Sequence, residues 1–124
     1  SVSDEDGSLL RSGEPLEQVV DVATQHGASA LLVNCTIPET VTKSMEILAK
    51  QSLPIGAYAN GFTGITEAFK KDNATVDALE ARKDLDPQAY LAFAQQWRDS
   101  GAEIIGGCCE VGPAHIAALA ESLT

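Results

Sequence analysis

Three cysteines are the residues of this chain with the most chemistry to offer. Cys108 and Cys109 stand side by side in EIIGGCCEVGP, residues 103–113, and Cys35 closes the run LLVNC. Each follows a short apolar stretch, so all three sulfurs are expected where strands pass into loops. Neighbouring residues on a regular strand point to opposite faces. Cys108 and Cys109 can therefore serve one site only if the chain leaves strand geometry there, and Gly106-Gly107 permits a bend. The thiolate, not the thiol, is the nucleophile and the metal ligand. Three cysteines match the ligand count of a catalytic zinc site, which has three protein ligands and one open position. Three thiolates on Zn(II) carry a formal charge of about −1, and a fourth sulfur makes it about −2. Spacing alone leaves two other readings open: buried unreactive thiols and a redox pair at Cys108–Cys109.

The elements that must position these residues fit a single domain over residues 1–124. At 44% hydrophobic and 21% charged, the chain has the make-up of a packed globular protein. Its net charge of −10 and lack of a basic cluster argue against nucleic acid or an anionic membrane as partner, because phosphate binding needs Lys and Arg. No apolar run approaches the ~20 residues of a membrane span, and no signal peptide opens the chain. An odd, small number of cysteines points to a reducing compartment and a cytoplasmic location.

Apolar residues at Leu16, Val19, Val20 and Ala23 follow helical spacing over Glu14–Gly27. The continuous apolar run Ala28–Asn34 reads as a strand covered on both faces. A helix is expected over Pro38–Gln51 and a strand over Ile55–Asn60. Gly61–Asp86 is long and charged, and reads as mostly loop with at most a helical turn; such loops are uncommon unless they act as a lid or binding segment. Asp86-Pro87 caps a third helix with Tyr90, Phe93, Ala94 and Trp97 inward. Glu103–Gly107 then forms a third, buried strand. The last helix, Gly112–Leu123, is expected to face inward through Ile116, Leu119 and Ala120. Strict alternation of helix and strand implies parallel strands with right-handed crossovers. In such folds the rim after the strands carries the active site. Three strands do not close a barrel of ~250 residues. The fold class is therefore α/β, the C-terminal part of a (β/α)8 TIM barrel with about three parallel strands and four helices.

VNC at 33–35, GGCC at 106–109 and GPAHI at 112–116 together resemble the homocysteine S-methyltransferase family. The resemblance covers essentially the whole chain and the second half of a family barrel. It departs at Tyr58-Ala59-Asn60-Gly61, where the family has a Tyr-Pro-Asn stretch. The resemblance implies that Cys35, Cys108 and Cys109 bind zinc. It further implies that homocysteine binds the zinc as thiolate and takes a methyl group from a small-molecule donor to give methionine. The family's first strands supply most contacts to the amino acid's amino and carboxylate groups, and they lie outside these residues. Alternatives from other classes are a non-enzymatic zinc-binding half-barrel module and a thiol-redox domain using Cys108-Cys109.

Asn34 and Asn60 are the candidate substrate-binding residues. Asn60 is either a weak fourth ligand that homocysteine displaces or a turn residue before Gly61. Asn34 either orients the site beside Cys35 or makes a strand-end hydrogen bond. His115 is the tempting fourth metal ligand, but with the sulfur count filled it reads as structural or solvent-facing; His26 reads as structural, and the acidic run Asp4–Asp6 as a solvated loop. Three strands cut from a barrel leave two unpaired edges. The chain alone is accordingly expected to self-associate, to pair with a missing N-terminal half, or to stay partly molten.

Overall fold

The computed structural model describes residues 1–63 and 79–124. The elements run α1 (Leu16–Gln25), β1 (Leu31–Asn34), α2 (Pro38–Leu48), β2 (Ile55–Tyr58), α3 (Pro87–Asp99), β3 (Ala102–Ile105) and α4 (Pro113–Leu123). The three strands form one parallel sheet in the order β1-β2-β3. Parallel neighbours joined by helices, with α1 packed on α2, α2 on α3 and α3 on α4, are successive β/α units of a barrel wall. Every expected element is present, although the strands are shorter than their apolar runs. Of the expected long loop, residues 64–78 lie outside the described residues.

Helix boundaries follow local chemistry. Asp86 caps α3 by accepting the Ala89 amide at 2.8 Å, and Pro87 fits the first turn, where an amide would lack a partner. Gly101, at φ +104°, supplies the left-handed residue between α3 and β3. Between sheet and helices lies the core, built from Val33, Ile55, Ala57, Val41, Met45, Leu48, Tyr90, Ala94 and Trp97. Trp97 is fully buried, edge-on to Tyr90 at 5.6 Å and stacked with Phe93 at 6.2 Å. Its indole N–H donates to the Thr42 hydroxyl at 2.9 Å, so burial leaves no orphan donor.

The opposite face of the sheet is open. Leu32, Gly56 and Ile104 occupy neighbouring register positions across it. Ile104 is 41% exposed, and Glu103 is exposed too, so β3 is not the buried strand expected. In β1 only Val33 is fully buried, so the apolar run is covered on one face, not two. Ile116, at 42% exposure, and Ala120 also lie exposed instead of inward, whereas Leu119 is buried as expected. The physical reason is shared. These side chains belong to the inner and edge surfaces of a barrel wall, and among the described residues nothing lies over them. Ile105, Ile116, Leu119 and Leu123 line a groove of about 340 Å³ beside β3.

The acidic run is a solvated loop only in part: Glu5 is exposed, whereas Asp4 and Asp6 have partners on and before α2. Asp4–Gly7 dock on α2: the Thr40 hydroxyl donates to the Asp4 carbonyl at 2.8 Å, and Ser44 Oγ to the Gly7 carbonyl at 2.7 Å. Lys43 Nζ meets Asp6 at 2.7 Å, and this bond, with help from Ser8, holds the Asp6 carboxyl below its ordinary range.

Gly56 is the position that sets the inner row. A Cβ there would lie 2.6 Å from the Ile104 carbonyl oxygen and 2.7 Å from Leu32 Cδ2. The nearer atom is backbone and cannot swing aside. Gly56→Ala is expected to lower stability by about 1–3 kcal/mol, the usual range for overpacking. A denaturant midpoint unchanged from wild type would contradict that.

Candidate functional site

The strands end at Asn34, Tyr58 and Ile105, but their backbones remain paired. The Cys35 amide donates to the Tyr58 carbonyl at 3.0 Å, and the Asn60 amide to the Thr36 carbonyl at 2.9 Å. On the other side, Gly106 N–H reaches the Ala57 carbonyl at 3.0 Å and Cys108 N–H the Ala59 carbonyl at 3.0 Å. Gly61 N–H closes the set on the Cys109 carbonyl at 2.8 Å. This continued pairing carries the three cysteines to one place. Their sulfurs all lie within 4.8 Å of one another, and none is in a disulfide. Cys108 Sγ and Cys109 Sγ are 3.8 Å apart, well beyond the ~2.05 Å of a disulfide bond.

The bend that lets adjacent cysteines share a site is not where the glycines suggest. Left-handed φ values fall at Cys35 (+53°) and Glu110 (+63°), while Gly106 and Gly107 have none. Such values at residues with a Cβ cost on the order of 1–3 kcal/mol each and cluster at functional sites. Gly107 is needed for space instead: a Cβ there would lie 2.2 Å from Val111 Cγ1. Turning at Glu110, the chain folds Val111 back over Gly107 and returns the Val111 amide to the Cys108 carbonyl at 3.1 Å.

Beneath this turn sits Tyr90. Its hydroxyl is 2.7 Å from the Gly106 carbonyl and 3.4 Å from the Ala59 carbonyl, so one buried donor spans the ends of β2 and β3. Burial, above all, pushes the Tyr90 hydroxyl well above its ordinary range and keeps it a donor. His115 takes the Gly112 amide on Nδ1 at 3.2 Å and sets Nε2 2.9 Å from the Leu85 carbonyl. Its ring lies edge-on to Tyr90 at 5.8 Å. His115 is thus a structural clasp, in line with its expected role, and His26 sits exposed at the end of α1.

Asn60 is fully buried. Its Oδ1 accepts the Phe62 amide at 3.2 Å, which is an Asx turn. Its Nδ2 points at Cys35 Sγ from 4.0 Å. Asn34 is exposed on the same face as Leu32, the open side of the sheet, and accepts from the Ser1 hydroxyl at 3.3 Å. Arg11 lies unexpectedly close, donating to the Cys35 carbonyl. No spacing rule connects positions 11 and 35, so only the fold could reveal that contact.

The donor set suits zinc. With Zn–S bonds of about 2.3 Å, tetrahedral geometry places sulfurs about 3.8 Å apart. The Cys108–Cys109 separation already has that value.

A sequence profile described as homocysteine S-methyltransferase matches residues 1–123. The chain belongs to the homocysteine S-methyltransferase family. It is 32% identical to homocysteine S-methyltransferase 4 of Zea mays over 99% of its own length. Identity is 30% to homocysteine S-methyltransferase YbgG of Bacillus subtilis (strain 168) over 97%, and 31% to homocysteine S-methyltransferase of Escherichia coli (strain K12) over 92%. The chain spans 35%, 36% and 35% of those three relatives, respectively. An α/β wall of three parallel strands agrees with a segment of that family's barrel. No helix among the described residues is long and apolar enough to cross a membrane.

Burial, and next the hydrogen bond and charge of Cys108, push the Cys35 thiol above its ordinary value. A raised value means less thiolate at any given pH, and thiolate is what alkylating reagents attack. In metal-free protein Cys35 should therefore react more slowly with iodoacetamide at pH 7–8 than a free cysteine. Its rate should climb only as pH passes the ordinary thiol value of about 8.5. Peptide mass spectrometry over a pH series reads this directly, and alkylation at the free-cysteine rate would contradict it.

Proposed function

We propose that the protein to which this chain belongs is a zinc-dependent homocysteine S-methyltransferase, with Cys35, Cys108 and Cys109 as the metal ligands. The observation that carries the proposal is the convergence of three sulfurs, from two separate strand ends, within 4.8 Å in a chain of this family. When bound, zinc supplies the Lewis acidity that keeps an acceptor thiol deprotonated near neutral pH. The acceptor sulfur gains a bond to the methyl carbon, and the donor keeps the electron pair of the bond that breaks. Homocysteine is the acceptor class that the family supports, with a small-molecule methyl donor and methionine as product.

This chain's own residues divide the work. The three cysteines provide the donors and are held in step by the continued backbone pairing. Asn34 is our candidate substrate contact, supported by its exposure on the open side of the sheet beside Cys35. Asn60 has its carbonyl engaged by Phe62 and its amide aimed at Cys35, which supports orienting that sulfur over contacting substrate. The open inner face and the groove at Ile116 are surfaces for the remainder of the barrel, which completes the substrate site. A reducing, cytoplasmic setting is part of this proposal, because free thiols must persist.

Cobalt substitution tests the ligand set in the full-length protein. Thiolate-to-cobalt charge-transfer bands are expected, and Cys35→Ser should weaken both bands and affinity. Unchanged bands in that variant would rule out a three-sulfur site. Loading zinc at pH 7 should release protons, and affinity should fall as pH drops, because protons compete for the sulfurs. Methionine formation on adding homocysteine and a methyl donor, lost in Cys35→Ser, tests the reaction; zinc binding without turnover would favour a non-enzymatic module.

The 124 residues produced alone should sediment as an associated species, or pair with the remaining barrel segment when it is supplied. A monomer at micromolar concentration with protected amides on both β1 and β3 would show that this wall closes its own fold.

A further inference from the structure

Cys35 reaches the cluster with its backbone in the left-handed region, at φ +53°. The turn it opens is gripped by two side chains from the loop before α1. Arg11 donates through one terminal nitrogen to the Cys35 carbonyl and through Nε to the Val2 carbonyl at 3.2 Å. Asp4 Oδ1 accepts from the Thr36 hydroxyl and from the Ile37 amide at 3.1 Å. Ile37 is the N-cap of α2 and has no side-chain cap of its own, so Asp4 caps that helix from another element. The two gripping side chains lie 3.7 Å apart and are only 26% and 14% exposed. Carbonyl, hydroxyl and amide on three successive residues are thus all claimed by one ion pair.

We propose that Asp4 and Arg11 form a brace that positions Cys35, so that Arg11 is a positioning residue for the first metal ligand and touches neither metal nor substrate. The inference rests on the reading of the three cysteines as a zinc site. A return of Cys35 to negative φ would swing its Cβ, sulfur and carbonyl together about the N–Cα bond, relative to an amide already tied to the Tyr58 carbonyl. Fixing the carbonyl from one side and the Thr36–Ile37 backbone from the other opposes that rotation. A guanidinium serves here because its rigid fork can hold two carbonyls at once, whereas an ammonium is a point donor on a flexible stem.

The test compares wild type, Arg11→Ala, Arg11→Lys, Asp4→Asn and Cys35→Ser in the full-length protein. Zinc affinity is read by chelator competition and the ligand set by cobalt charge-transfer bands. Arg11→Ala should lose about 10- to 100-fold in zinc affinity, the range seen when an outer partner of a ligand is removed. Its cobalt band should fall toward that of Cys35→Ser, and Arg11→Lys should recover part of both. Hydrogen exchange in the metal-free protein gives a second readout. The Cys35 and Ile37 amides should exchange faster in Arg11→Ala while α3 amides keep wild-type rates. Zinc affinity and cobalt band indistinguishable from wild type in Arg11→Ala would overturn the brace and leave the zinc site standing. Should Arg11→Ala not fold, the same outcome in both Arg11→Lys and Asp4→Asn overturns it. Wild type that binds no zinc, with exchange at Cys35 and Ile37 still accelerated in Arg11→Ala, would retain the brace and sink the zinc reading instead.

Discussion

Backbone pairing that continues past the ends of the strands is the interaction on which the rest of this structure depends. Side chains at strand ends ordinarily diverge as loops peel away. Here amides at Cys35, Asn60, Gly61, Gly106 and Cys108 stay bonded to carbonyls of the neighbouring segment. That pairing fixes the heights of the three cysteines relative to one another. A register slip of one residue would send alternate side chains to the opposite face and scatter the sulfurs. Two features oppose a slip. Leu32 and Ile104 close over Gly56 from both sides, with no room for even a methyl group. Tyr90, buried beneath the rim, ties together the Ala59 and Gly106 carbonyls just past the ends of β2 and β3.

Much of this architecture is legible in the residue pattern, for identifiable reasons. Alternating helical and apolar segments imply a parallel sheet, because right-handed crossovers leave few other arrangements. Cysteines that follow apolar runs must sit at the rim, and GGCC with the upstream Asn-Cys marks the family. What the pattern does not carry is anything decided by distant partners. Ile116 has helical spacing that suits an inward face, yet spacing says nothing about which barrel surface that face meets. The acidic run Asp4–Asp6 has the composition of a solvated loop, and only the docked fold gives Asp4 and Asp6 their partners at Thr36, Thr40 and Lys43. Glycines at 106 and 107 invite a left-handed bend, but the strained positions are Cys35 itself and Glu110, the residue after Cys109. Local rules fail mostly where the site is built or where the wall meets the remainder of a barrel, as expected when function overrides propensity.

The electrostatics of the cluster complete the argument for a cation. The chain carries 18 acidic against 8 basic side chains, and its most unusual site gathers three more groups that can become anions. Burial already disfavours charge on Cys35, and the nearness of Cys108 adds to that penalty. In the metal-free protein this closeness yields only weak thiol hydrogen bonds. The sulfurs make no covalent bond to one another, and the left-handed backbone at Cys35 is held by contacts from another loop. An arrangement that costs backbone strain and opposes its own ionisation is sensible once a divalent cation is counted. A bound divalent cation would outweigh the charge penalties, since each thiolate would then face a positive charge as well as its neighbours, and the backbone strain would be the cost of placing the donor. The same reasoning explains why the donors come from two strand ends of one wall. Two sulfurs on one turn and a third across the neighbouring strand supply three donors from one wall, the count that leaves a four-coordinate zinc one open position.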